Sequence, residues 1–373
     1  MKEERTPGVP TEEGRSESSL NHDEPALTPL GTPPRPPVRS RDGDIVHTSP
    51  ELAVGEGDVR TAEAGDSEIL TGTSLWKDAW KRLLKNKLAV FGLVVVCLIL
   101  FISLVGPPII KATMGFDYDD IPADSKLIRS FPPFTAPDGK SFAWQHPMGT
   151  DSAGRDMLAR VLLGGRISLM VGLISTIVSL IIGISYGATA GYLGGKIDDL
   201  MMRVVDVLYA IPYMMIVIVL LAFFGGRSPV GQLFLLFAAL GAVSWLTMAR
   251  IVRGQVMSLK NQEFVLAARA TGVSTSRIIF RHLVPNTLGP VIVYATLTIP
   301  SVMLQEAFLS FLGLGVQAPL ASWGSLAAEG IQNIAVFPWQ LIFPGVTMAL
   351  TLFSLNFLGD GLRDALDPQM RKF

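Results

Sequence analysis

One cysteine, Cys97, occurs in 373 residues, so no disulfide can form within the chain and cysteine usage reveals no redox compartment. Charged residues are scarce at 17% and sum to −1, which leaves no global basic surface for nucleic acid. No G-x-x-x-x-G-K-[ST] is present. The nearest stretch, GYLGGKID, follows Lys196 with Ile197 and misplaces its leading glycine. HExxH is absent, no cysteine–histidine cluster has metal-ligand spacing, and His146 stands alone beside a proline. FLGLGV lacks the strand–turn–helix setting of a dinucleotide site. These absences argue against bound nucleotide, a resident metal and catalysis in this chain, including an intramembrane enzyme.

Apolar residues are what the chain has in quantity. They make up 49%, with a mean hydropathy of +0.42, and such a chain in water could not cover its apolar surface. Six stretches are long enough to span a hydrocarbon core, at roughly 88–106, 166–192, 207–225, 229–249, 287–312 and 338–358. Pro107-Pro108 is expected to stop the first. Spans two to six are rich in Gly, Ala, Ser and Thr, which lets helices approach closely in lipid. The expected fold is an all-α integral membrane protein, a packed bundle of six transmembrane helices.

Residues 1–70 carry many Pro, Gly, Ser, Thr and acidic residues and almost no aromatics, without a signal-peptide pattern, and read as a disordered tail. In SLWKDAWKRLLKNK, Leu75, Trp76, Ala79, Trp80, Leu83 and Leu84 share one face, with basic residues between them. An amphipathic helix over 71–87 in the cytoplasmic interface is expected. Six crossings return Arg363, Arg371 and Lys372 to the same side. The connection 313–337 has no Lys or Arg and fits outside, so both termini are expected in the cytoplasm. The long connection 107–165 is then extracytoplasmic, and 166–373 forms the core.

Residues 250–286 interrupt the pattern. They hold Arg250, Arg253, Lys260, Arg269, Arg277 and Arg281 against one acid, Glu263. At about 2.5 kcal/mol per charge at the bilayer centre, burying six would cost roughly 15 kcal/mol, so the segment lies outside the lipid. Good helix formers fill 263–271, and Ala267, Ala268 and Ala270 leave little bulk. Gly272 can take the left-handed backbone that ends a helix, Ser274 can cap a second helix, and Pro285 is expected to end it. A plain helical hairpin and a docking element for another protein both fit this pattern.

Few ionisable residues stand within the spans. Glu306, in SVMLQEAFLSFLG, is costly at that depth and either pairs with a neighbouring helix or lines a translocation path. Pro212 and Pro300 are kinks or gate hinges. Asp360 and Arg363 are spaced for a local pair. Thr150-Asp151 followed by Arg155 and Asp156 reads as a capped external helix with a local ion pair.

The pattern Glu263, Ala267-Ala268, Gly272, then a basic stretch through Arg281 to Leu283 and Pro285, resembles the EAA loop of permeases in binding-protein-dependent ABC importers. HPMGTDSAGRDMLARVLLGGRISLMVG (146–172), LSFLGLGVQAPLASWGSL (309–326) and NFLGDGLRDALDP (356–368) extend the resemblance over approximately residues 75–373. Together they resemble the oligopeptide/dipeptide/nickel permease family, its C-type membrane subunit in particular. The resemblance implies a type I importer permease fold and alternating access, with no catalysis or cofactor in this chain. By the same resemblance, ATP and Mg are expected on two partner ATPase subunits, with the 263–286 loop seated in the groove of one of them. It also implies a homologous second permease, an extracytoplasmic substrate-binding protein near Asp151, Arg155 and Asp156, an inner-membrane location and no nucleic acid. Peptides, nickel complexes and other small solutes are all served by the family. An autonomous secondary transporter or channel is the rival; it should show internal repeats and several mid-membrane ionisable groups, where only Glu306 stands out.

Overall fold

The computed structural model describes residues 75–115, 117–124, 129–135, 141–225 and 228–366. The tail over 1–70 and the C-terminal Arg371 and Lys372 lie outside the described residues. Every regular element among the described residues is helical: α1 (Leu75–Lys85), α2 (Lys87–Met114), α3 (Met157–Leu193), α4 (Gly195–Ala210), α5 (Tyr213–Phe224), α6 (Pro229–Leu259), α7 (Glu263–Ala270), the short α8 (Thr275–Arg277), a π-helical segment (Ile278–Leu283), α9 (Val284–Phe311), α10 (Trp323–Gln332) and α11 (Trp339–Leu366).

Five helical stretches are long and apolar enough to cross a membrane, and α4 with α5 qualifies as a sixth, broken span. The count of six is met, but three boundaries differ from expectation. Pro107 and Pro108 do not stop the first span, because α2 runs through both to Met114. Prolines are tolerated there because packing and local adjustment compensate for the freed carbonyls; Gly106 sits against Leu162 and Ser103 against Gly165. The second span begins at Met157, nine residues before the apolar run. The third is not one helix over 207–225, because α4 and α5 meet at 79°. Pro212 cannot donate into a helix and forces Ile211 into extended backbone (φ −86°, ψ 130°).

At the chain's start, Asn86 separates α1 from α2 by accepting from the backbone N–H groups of Leu88 (3.1 Å) and Ala89 (3.3 Å). Leu83 of α1 is buried against Ala89 and Ala365, so α1 is pinned to the last turns of α11.

The bundle's main seam runs between α3 and α6. Gly183, Gly187 and Gly191 recur every four residues and so face one way. A Cβ on Gly183 would lie 2.7 Å from the Met248 side chain, one on Gly191 2.8 Å from the Arg253 carbonyl, and one on Gly187 would collide with the Ala249 carbonyl. From the other side, a Cβ on Gly241 would lie 2.7 Å from Val178. In lipid, close backbone approach of this kind supplies the packing that the hydrophobic effect does not.

Gly187→Ala is therefore expected to lower the thermal midpoint of the detergent-purified protein relative to Gly254→Ala, where an added Cβ meets nothing within 4 Å. Both gain about 1 kcal/mol of helix propensity, so the difference isolates an overpacking cost of about 1–3 kcal/mol. Equal midpoints would refute the seam.

Candidate functional site

Two regions concentrate the features singled out in the sequence, one at each end of the bundle, with a cavity between them. At the first end, α7 leaves α6 after Lys260 and lies against the ends of α3, α6 and α9. Val265 and Ala268, three residues apart, turn inward. With Ile278, Ile279 and Leu283 they pack on Ala188 of α3, Val252 and Val256 of α6 and Val291 of α9. Gly272 has φ +77°, and Val273 N–H donates to the Ala268 carbonyl at 3.1 Å, closing the helix end as expected. Ser274 has the extended backbone of a cap, but its side chain makes no cap hydrogen bond.

Pro285 does not end the second helix, because the chain continues from α8 through the π-helical segment into α9. A proline lacks the N–H for the carbonyl four residues back, and its ring presses on that carbonyl. The wider π turn just before Pro285 relieves this. Val284 N–H reaches the Ile279 carbonyl and the Asn286 amide donates to the His282 carbonyl at 2.6 Å. The segment is thus one rigid piece with the fifth span.

The charges of 250–286 are also less free than they read. Arg253 makes a two-point pair with Asp198 (2.6 and 2.7 Å) and Arg250 pairs with Asp206 (2.7 Å), both carboxylates coming from α4. Lys260 donates to the Gly191 carbonyl at 3.0 Å, and Arg269 reaches the Tyr192 hydroxyl at 3.2 Å. Of the motif residues, Ala268 and Leu283 are buried, while Glu263, Ala267, Gly272, Arg281 and Pro285 are exposed. Beside the exposed set stand three large apolar side chains, Phe264 (42% exposed), Leu266 (49%) and Phe280 (50%).

A cavity of about 450 Å³ opens where the α4–α5 break faces the central turns of α6 and α9, and Pro212 lines it. Pro300 is buried within α9. Glu306 does not face this cavity. It is 1% exposed and accepts from the hydroxyls of Ser310 (2.6 Å) and Ser322 (2.7 Å). Ser322 in turn accepts from Ser325 N–H to cap α10, so the carboxylate fastens α10 to α9.

At the opposite end, residues 150–156 form no helix. Thr150 and Asp156 make a bridge pair around a tight turn, in which Asp151 accepts from Ala153 N–H (2.8 Å) and Arg155 N–H (2.9 Å). The Asp151–Arg155 ion pair exists, at 2.7 Å, and Asp156 caps α3 through Ala159 N–H at 2.7 Å. Buried Arg160 joins Asp151 (2.6 Å) to Glu329 of α10 (2.7 Å), and His146 meets Asp156 at 2.8 Å. Asp151 and Asp156 are each 3% exposed, so their carboxylates act within this chain. Nearby, hydrogen bonds from Lys111 (2.7 Å) and from Tyr118 N–H hold the Asp117 carboxyl below its ordinary pKa.

Residues 179–372 match the family described as binding-protein-dependent transport system inner membrane component, and residues 74–133 match the N-terminal TM domain of oligopeptide transport permease C. The chain belongs to the binding-protein-dependent inner-membrane transport components. It is 47% identical over 335 residues to the oligopeptide transport system permease protein OppC of Haemophilus influenzae, covering 90% of this chain and 98% of that protein. It is 50% identical over 300 residues to OppC of Escherichia coli K12 (80% and 93%), and 42% over 308 residues to the dipeptide transport system permease protein DppC of Bacillus subtilis (82% and 90%). The family resemblance carried by the four motifs is met. The members are multi-pass inner-membrane permeases, which are transport components.

For this permease, the exposed Phe264, Leu266 and Phe280 and the partners Asp198 and Asp206 were missed in the sequence. The aromatics could have been found as large apolar residues within a segment too charged for lipid. The aspartates lie 55 and 44 residues from their arginines, and no local pattern joins them.

Glu306→Gln keeps an oxygen that accepts from Ser310 and Ser322, and is expected to retain folding and transport. Glu306→Leu strands both hydroxyls, at about 1–3 kcal/mol each, and should lower the thermal midpoint. Loss of transport by a well-folded Glu306→Gln would instead place the carboxylate on the solute's path.

Proposed function

We propose that this chain is a membrane permease subunit of an ABC importer that moves di- or oligopeptides into the cell. The relatives named for oligopeptide and dipeptide transport support the solute class. The observation that carries the mechanism is the exposed apolar trio on the motif-bearing segment, whose other face is packed on three spans. Apolar residues beside a segment too charged for lipid suit a protein partner. The partner is a cytoplasmic ATPase, one of two, each pressing on the 263–286 segment of one of two homologous permeases. Both termini then lie in the cytoplasm, and an extracytoplasmic binding protein delivers solute to the end that carries α10. ATP and Mg are bound by the ATPases and no cofactor by this chain.

Force on α7 has two routes inward. One runs through the continuous π segment into α9, the other through Lys260 and Arg253 into the α3–α6 seam and α4. Taking a gate from 1:99 to 99:1 needs about 5.5 kcal/mol of differential binding, which nucleotide-driven closure of the ATPases supplies.

Gly272→Asp tests the assignment. An added Cβ at Gly272 meets nothing within 4 Å inside this chain, so crowding does not unfold it. The left-handed φ makes the new residue strain the turn by roughly 1–2 kcal/mol. Normal membrane levels with ATP-driven peptide uptake reduced to background are expected; uptake at the wild-type rate would defeat the proposal.

A further inference from the structure

The cavity at the broken third span has a wall of a particular chemistry. Its lining includes no Asp, Glu, Lys or Arg, although it passes Glu306's neighbour Gln305. Arg250, three residues beyond Thr247, is stacked on the Tyr209 ring at 4.1 Å and paired with Asp206, so the two charges offset each other beside the cavity. Its volume of about 450 Å³ falls within the roughly 300–1,000 Å³ of small-molecule sites.

Hydrogen-bonding groups are nevertheless plentiful there. Ser244, Thr298 and Ser301 each donate their proton to a carbonyl of their own helix, Leu240, Tyr294 and Leu297, at 2.8, 2.8 and 3.3 Å. That leaves three hydroxyl oxygens as acceptors facing the space. Among the described residues, the Tyr213 and Tyr294 hydroxyls and the Gln305 amide make no hydrogen bond, so they stand ready as donors. Tyr209 and Tyr213, which line it, are 44% and 43% exposed, so the cavity is open on one side.

We infer that this cavity is a solute-binding compartment for the peptide main chain, and that it reads backbone rather than side chains. The inference rests on the peptide-importer reading above and deepens it. A peptide bond presents one N–H donor and one C=O acceptor per residue, whatever the side chain. A neutral wall offering both kinds of partner matches that repeat. A fixed charge on this wall would favour one class of side chain and repel the other. The α4–α5 break is what exposes the wall, since a straight helix would carry Tyr209 and Tyr213 along one rod.

The test uses the full complex, with its permease, ATPase and binding-protein partners, in proteoliposomes. The probe is a tripeptide bearing a benzophenone side chain at its central residue, photolysed during turnover. Label is expected on 208–213, 243–247 and 294–305 of this chain; label confined to other segments overturns the inference. Tyr294→Phe is expected to slow uptake of Ala-Glu-Ala and Ala-Lys-Ala alike, by roughly three- to tenfold for one lost hydrogen bond. Ser301→Asp should lower the Glu-to-Lys uptake ratio about tenfold relative to wild type. The binding protein's own preference cancels in that comparison, and general damage to the fold would leave the ratio unmoved. An unchanged ratio overturns the inference. If the wild-type complex shows no nucleotide-driven uptake of any peptide, the underlying reading fails too; uptake with neither label nor ratio change defeats the compartment alone.

Discussion

Glycines on α3 let its backbone rest directly on that of α6, and most of what this molecule does depends on that contact. Side chains at Gly183, Gly187 or Gly191 would hold the helices apart at the Met248, Ala249 and Arg253 positions. The approach creates the surface on which α7 lies. Gly191 offers its carbonyl to Lys260, and Tyr192 receives Arg269, because the two helix ends are so near each other. The same closeness lets Arg253 reach Asp198 at the start of α4. In a bilayer, where apolar burial gives little reason for helices to associate, van der Waals fit along such a seam is the available source of rigidity.

Rigidity matters because the segment from Glu263 to Leu283 is a lever only if it cannot flex at its roots. Its inner face is apolar and buried among three spans, and its exit is a helix without a break. The π turn before Pro285 replaces the kink that a proline would ordinarily impose, so displacement of α7 is passed into α9 rather than absorbed. The bundle's other end is fastened differently, by charge. Arg160 ties the turn at Asp151 to Glu329, while Glu306 secures the cap of α10. Of these, Asp151 stood out in the sequence as a candidate contact and Glu306 as a candidate path residue; with Arg160 and Glu329 they hold this end of the bundle in shape.

Legibility in the sequence followed the range of the interaction. Hydropathy gave six crossings, and the left-handed turn at Gly272 was plain, because both depend on neighbours within a few residues. Proline was read too simply. Pro107, Pro108 and Pro285 lie within or at the start of continuing helices, where packing or a π turn accommodates them, yet Pro212 breaks its span outright. The sign of a proline's effect depends on what surrounds the freed carbonyl. Asp151 and Asp156 were misplaced as surface groups, since only the folded chain brings Arg160 and His146 onto them. Glu306 could be narrowed to two roles from its depth, and only the hydroxyl of Ser322, sixteen residues on, separates them.

The central claim is that the outer face of α7 is the seat of a nucleotide-hydrolysing partner. Leu266→Cys in a Cys97→Ala background places one thiol on that face, and Ile334→Cys places one at the bundle's other end; both positions are about half exposed. A benzophenone maleimide attached to each thiol and photolysed in native membranes, with the adducts identified by mass spectrometry, should join position 266 to an ATPase subunit in a nucleotide-dependent manner and position 334 to none. An ATPase adduct at 334, or none at 266 while the complex remains active, would contradict the account.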